Sequence, residues 1–214
     1  MVITTWNMQG AFDSQNENKW SNEVLALMNS SDICLLQESG ERPLSCQDDP
    51  LPPPIPIDCT FSLWNRKYLF HYRFSGPHGG TRCSMAIVSK ARPTELYKGE
   101  SDHRSIIGVN INGTLYFCIH AISPGGADVQ LLLTLAASKA GNTSWVCGGD
   151  FNREPTGLPI MPGLIVCPPN GCTHPKVNPD KKLDYLVKST GGAVVGICQD
   201  IFDSDHYPVK YTLV

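Results

Sequence analysis

The chain has 214 residues, 41% of them hydrophobic and 17% charged, a balance that excludes intrinsic disorder and suits one sizeable core spanning 1–214. Its formal net charge of −3 excludes the strongly basic surface of a nucleic-acid coat protein. No apolar run approaches the ~20 residues of a membrane-spanning helix, so a soluble domain is expected.

Residues 2 to 6 alternate into Trp6, and Asn7 to Gly10 closes the run, which predicts a strand ending in a polar loop. Trp20, Val24, Leu27 and Met28 recur at helical spacing, and 32–38 reads as a buried strand with polar residues at its end. The six prolines between 41 and 58 predict a long surface loop. Short β-branched or aromatic runs at 68–74, 83–90, 105–111 and 115–122, with the turn signal Asn112–Gly113 between the last two, predict an antiparallel stretch of sheet. A helix over 128–140, stopped by Gly141–Asn142, precedes a strand at 144–147. A Pro- and Gly-rich connection at 155–180 leads to closing strands at 183–188 and 207–214. The two strand-helix-strand units predict an α/β architecture of two mixed sheets packed face to face with helices outside, a four-layered sandwich.

Nine cysteines without zinc-finger spacing predict disulfides and an oxidising compartment. Cys46 with Cys59 and Cys167 with Cys172 are the expected local bridges, whereas Cys34, Cys118 and Cys147 lie in apolar strands as buried thiols or partners of one another. No leader peptide is legible before the first strand.

Polar residues gather where the predicted strands stop: Asn7, Glu38, His120, Asp150 with Asn152, Asp184, and Asp205 with His206. Taken singly, each is more often a turn former or a hydrogen-bonded histidine than a functional group. Together they make an inventory. Asn7, Glu38 and Asp205 offer the hard oxygen ligands that magnesium takes. His120 and His206 are groups that move protons near neutral pH, and Asp184 or Asp205 can fix a histidine tautomer. Phosphate-loop, serine-elbow and zincin motifs are missing.

Seven segments in one order, Trp6–Gly10, Gln37–Glu38, Arg104–Gly108, Ile119–Ala121, Gly149–Pro155, Leu183–Tyr185 and Ser204–Val209, resemble the motif series of the endonuclease/exonuclease/phosphatase (deoxyribonuclease I-like) superfamily. The wording of several is similar to the active subunits of cytolethal distending toxins. The resemblance implies a magnesium- or manganese-dependent phosphodiesterase acting on DNA, with Glu38 binding the ion helped by Asn7 and Asp205. Asp184 then orients His206, which contacts the scissile phosphate or draws the proton from water; Asp150 and Asn152 position water and phosphate oxygens, and His120 protonates or stabilises the departing oxygen. Arg104 corresponds to an arginine at the substrate phosphate, and Arg153 is placed to bind a neighbouring one, the fork of arginine suiting both tasks. Arg66, Lys67, Arg73 and Arg82 are further candidates for the DNA backbone. Delivery subunits, secretion and action in a target-cell nucleus are implied with it. The same superfamily leaves a phosphoinositide phosphatase as the alternative, and a secreted binding protein with a vestigial site as a third reading.

Two departures from deoxyribonuclease I stand out. No glutamate occupies Arg66–Phe70, the segment similar to the one that backs the histidine matching His120, and Ser39–Gly40 stands where an arginine follows the Gln-Glu motif.

Overall fold

The computed structural model describes residues 1–12, 17–76, 80–101, 103–159, 161–200 and 203–213. From β1 (Val2–Asn7) the chain passes through a π-helical turn (Trp20–Val24) and α1 (Leu25–Ser30) into β2 (Ile33–Gln37). There follow β3 (Gln47–Asp48), β4 (Cys59–Trp64), β5 (Lys67–Tyr72), β6 (Met85–Ser89), β7 (Glu95–Glu100), β8 (Ser105–Ile111) and β9 (Thr114–His120). The last part carries α2 (Val129–Ala140), β10 (Trp145–Asp150), β11 (Ile165–Cys167), β12 (Asp184–Lys188), β13 (Ile197–Cys198) and β14 (Val209–Thr212). One sheet has the order β13-β14-β1-β2-β6-β5-β4-β3, the other β11-β12-β10-β9-β8-β7. β1 with β2 and β9 with β10 pair in parallel, which requires the crossovers that α1 and α2 supply.

Side chains alternate between the faces of a strand, and that alternation sorts the layers. On β2, Ile33 and Leu35 face the core between the sheets while Cys34 and Leu36 face the helical layer with Trp6, Trp20 and Met28. On β9, Tyr116 and Cys118 enter the same central core, and Phe117 and Ile119 pack under Leu132, Leu133 and Ala136 of α2. Helix, sheet, sheet and helix thus stack in four layers, as the pattern implies.

Two expectations change. The antiparallel stretch over 68–122 is divided: β5 and β6 belong to the first sheet, β8 and β9 to the second. The final strand is Val209–Thr212, shorter than 207–214; Val214 lies outside the described residues. The disulfides are also corrected, since all nine cysteines are free. Cys46 packs against the helical layer of the first sheet and Cys59 against the central core, on opposite faces. Cys167 is buried in that central core while Cys172 is only half-buried. Cys34 and Cys118 stay as buried thiols, each pushed up to about 12 by burial, far from the thiolate range in which cysteine reacts.

Register carries the chemistry to one end of the sandwich. Asn7 pairs with Gln37 at the ends of β1 and β2. Asp150 pairs with His120 on one side and Asp184 on the other. Gly149 makes that row close-set: a Cβ there would lie 1.9 Å from the Ile119 carbonyl oxygen, so any side chain would push β10 off β9 and displace Asp150.

Candidate active site

Asp150, almost fully buried, is the hub. Its Oδ2 accepts from Asn7 Nδ2 at 3.0 Å and Asn152 Nδ2 at 3.2 Å, and its Oδ1 accepts the Asn152 backbone N–H at 2.8 Å. Two imidazoles face it, with His120 Nε2 at 3.7 Å and His206 Nε2 at 3.8 Å from Oδ2. Behind His206, Nδ1 donates to Asp184 Oδ2 at 2.8 Å. The His206 backbone is pinned as well: its N–H donates to the Ser204 hydroxyl, which donates to the Asn7 carbonyl at 2.6 Å, and Trp6 Nε1 reaches its carbonyl. Thr173 does the same for Asp184, its hydroxyl accepting the backbone N–H groups of Leu183 and Asp184.

Burial alone pushes the His206 ring down, but Asp184, with Asp150 and Asp205 beyond it, prevails and raises its pKa to about 10. His120 moves the other way. Burial lowers it to about 4, Asp150 resists, and the charges of Arg104, His206 and Arg82 add to the fall. Its Nδ1 is buried with no hydrogen-bond partner among the described residues. Near neutral pH, then, an imidazolium and a neutral imidazole flank one carboxylate whose own pKa burial and Asp184 have raised.

Glu38 ends β2 in the left-handed region at φ 47°. That turn brings its carboxylate to 3.6 Å from His120 Nε2 and into an ion pair with Arg82. Asp205 hangs on Gln9, whose side-chain oxygen accepts its N–H at 3.1 Å, while Gln9 in turn donates its N–H to Asn7 Oδ1. The donor set fits a divalent ion: Glu38 and Asp205 both act on the Arg82 guanidinium, so a cation already lies in the field of both carboxylates, and the Asn7 amide is tied to Asp205 through Gln9. Hard oxygen ligands of this kind suit a small divalent ion. Among the described residues His174, Asp205 and His206, and likewise Asp150, Asp184 and His206, bring ligand atoms close enough for a metal.

Every residue expected at the metal or the reacting phosphate therefore lies at this end, and the arginines and lysine proposed for the DNA backbone sort themselves. Arg104 borders His120. Arg153 stands to one side, in a cavity of about 480 Å³ with Asn152, His174 and Lys181. Arg82 meets Glu38, whereas Arg73 is paired with Glu41. Arg66 and Lys67 do not belong here. Leu36 pairs with Ala86, Tyr72 with Met85 and Tyr68 with Ser89, so the β4–β5 turn that holds them lies at the far end of the sheet from Glu38. Sequence reasoning missed His174, whose Nε2 is 3.7 Å from Asp205 Oδ2 and whose ring centroid is 4.4 Å from that of His206. The Thr173–His174 pair, nine residues ahead of Leu183 in the Pro- and Gly-rich connection, was the available signal.

The sequence profile of the Endonuclease/Exonuclease/phosphatase family matches residues 4–206, and the chain belongs to that family of hydrolases. It is similar to a cytolethal distending toxin component of Escherichia coli, at 28% identity over 97% of this chain and 89% of that protein. A homolog of the same toxin component from Salmonella typhi is 29% identical over 73% of this chain and 65% of that one. Its fold is that of the crystal structure of cytolethal distending toxin from Actinobacillus actinomycetemcomitans, with a TM-score of 0.85 at 24% identity over 99% of this chain and 97% of that one.

Proposed function

We propose that the chain is a magnesium- or manganese-dependent nuclease that hydrolyses phosphodiester bonds in DNA, the catalytic subunit of a secreted toxin carried by separate delivery subunits to a target-cell nucleus. The observation that carries the chemistry is the pair of oppositely tuned imidazoles across Asp150. The toxin setting is supported by the likeness to the Escherichia coli and Salmonella typhi toxin proteins.

A divalent ion at Glu38, Asp205 and Asn7 would supply charge to the phosphate oxygens. The protein does the rest. His206, held as an imidazolium by Asp184, donates from Nε2 to a phosphate oxygen. Asp150 and Asn152 orient the attacking water, and Asp150, with its raised pKa, takes the water proton. His120 is neutral, and the carboxylates of Glu38 and Asp150 in front of Nε2 favour the tautomer with its N–H there. It stabilises the departing oxygen by hydrogen bonding, with the Arg104 charge beside it. Arg153 meets the next phosphate.

A phosphoinositide phosphatase would use the same centre, and a vestigial binding protein would have lost part of it, though no ligand is missing. Supercoiled plasmid is the test. Nicking is expected with magnesium, abolished by excess chelator and by Asp205→Ala. Phosphate release from a short-chain phosphoinositide without nicking would replace this reading with the phosphatase.

A further inference from the structure

Beyond Asp205 the cleft opens into a cavity of about 530 Å³, lined by Gln9, Phe12, Lys19, Lys176, Val177 and Asp203 among others. It shares no lining residue with the cavity that holds Arg153, and it has the size of a small-ligand pocket. Its charges cancel, Lys19 and Lys176 against Asp203 and Asp205, so it is no phosphate cradle. What it offers is apolar surface: Phe12 is 52% exposed and Val177 79% exposed. The walls are also fixed in place. Lys19 donates to the Met8 carbonyl, the Lys176 N–H donates to the Asp205 carbonyl at 2.8 Å, and Tyr207 donates from its N–H to the Thr173 carbonyl and from its hydroxyl to the Lys176 carbonyl. The strap that carries Val177 is therefore tied to the same residues that carry Asp205 and His206.

We infer that this lobe is a nucleobase subsite, in which the base flanking the scissile phosphate lies against Phe12 and Val177. The inference rests on the nuclease reading and deepens it. A polar rim with balanced charge and an exposed aromatic face suits a flat, neutral base, and stacking on an aromatic side chain tolerates any base sequence. The reacting phosphate then sits between two lobes, one for the base beyond Asp205 and one with Arg153 for the adjoining backbone. A base can enter the lobe only when unstacked, so the strand cut here is single or locally opened.

The test compares two labelled strands by fluorescence anisotropy in excess chelator, where nothing is cleaved: a single-stranded hexadeoxynucleotide and the same sugar-phosphate strand with tetrahydrofuran abasic residues throughout. Wild-type protein should bind the base-bearing strand at least about fivefold more tightly, the scale of one stacked base. Phe12→Ala should lose that preference, Phe12→Trp should keep it, and Val177→Ser should weaken it. Phe12→Ala with an unfolding midpoint equal to wild type and an undiminished preference would overturn the subsite. Plasmid nicking by the wild type separates the two failures: nicking without base preference removes only the subsite, whereas neither nicking nor binding removes the nuclease reading beneath it.

Discussion

The two imidazoles at the centre face the same carboxylate but differ in what stands behind them. His206 has Asp184 at 2.8 Å from Nδ1; the Nδ1 of His120 is buried with no acceptor among the described residues. One ring is consequently raised to about 10 and the other lowered to about 4, although both are almost wholly buried. Burial penalises either cation alike. Asp184 on the far nitrogen lets His206 keep its proton, while burial and the nearby positive charges strip it from His120, which in the proposed mechanism suits His206 to phosphate binding and His120 to a neutral hydrogen-bonding role.

The largest effect should come from removing the charged half. His206→Ala is expected to reduce plasmid nicking by about two to four orders of magnitude. Asp184→Asn should approach that loss, because it leaves His206 in the uncharged condition of His120. Nicking of Asp184→Asn within a few-fold of wild type would break the comparison. Histidine NMR of the metal-free protein sharpens it: the ring of His206 should titrate near 10 and that of His120 near 4, with His206 falling well below 10 in Asp184→Asn.

A smaller effect appears in stability. His120 has an ordinary pKa of 6.5 and a folded one of about 4. Between those values the unfolded chain binds a proton that the folded chain refuses, so stability rises with pH across that window and is lost as pH falls through it. A gap of that size corresponds to about 3 kcal/mol. Denaturant unfolding of His120→Gln should show a correspondingly flatter dependence between pH 6.5 and 4. The same slope in both proteins would show that His120 is protonated in the fold.

The sequence disclosed one half of the centre better than the other. Residue types left Asp184 or Asp205 as the partner of a histidine, and the motif resemblance singled out Asp184 for His206; the strand-end places of Asn7 and Glu38 were legible in the runs that became β1 and β2, whereas the strand expected to stop at 147 runs on to Asp150. The pairing of β10 with both β9 and β12, which sets His120, Asp150 and Asp184 in one row, is a matter of register between distant segments, which local pattern does not contain. Strands β4 and β7 went unread for a related reason. Residues 59–66 end in Asn65–Arg66, both in the left-handed region but without the glycine that marks such hairpins, and 95–100 carries two glutamates, a lysine and a glycine on an edge. Cysteine count misled outright: sheet faces, invisible in spacing, separate Cys46 from Cys59.

The smallest expected effect is none, and it tests whether position along the sheet outweighs charge. Arg66 and Lys67 look like backbone contacts in the sequence, as cationic as Arg82 and Arg104. The register nevertheless puts them beyond Tyr68, which pairs with Ser89, while the centre lies past Met85 at the other end of the same strand. Four to five residues of strand at ~3.3 Å each separate the two ends, more than the Debye length of ~8 Å at physiological salt. Arg66→Ala should therefore leave both nicking and the dependence of DNA binding on salt at wild-type values, whereas Arg104→Ala should lower turnover and reduce the salt slope by about one phosphate contact. A reduced salt slope in Arg66→Ala would mean that the DNA wraps around the end of the first sheet, and the binding surface would then extend well past the centre that the two histidines define.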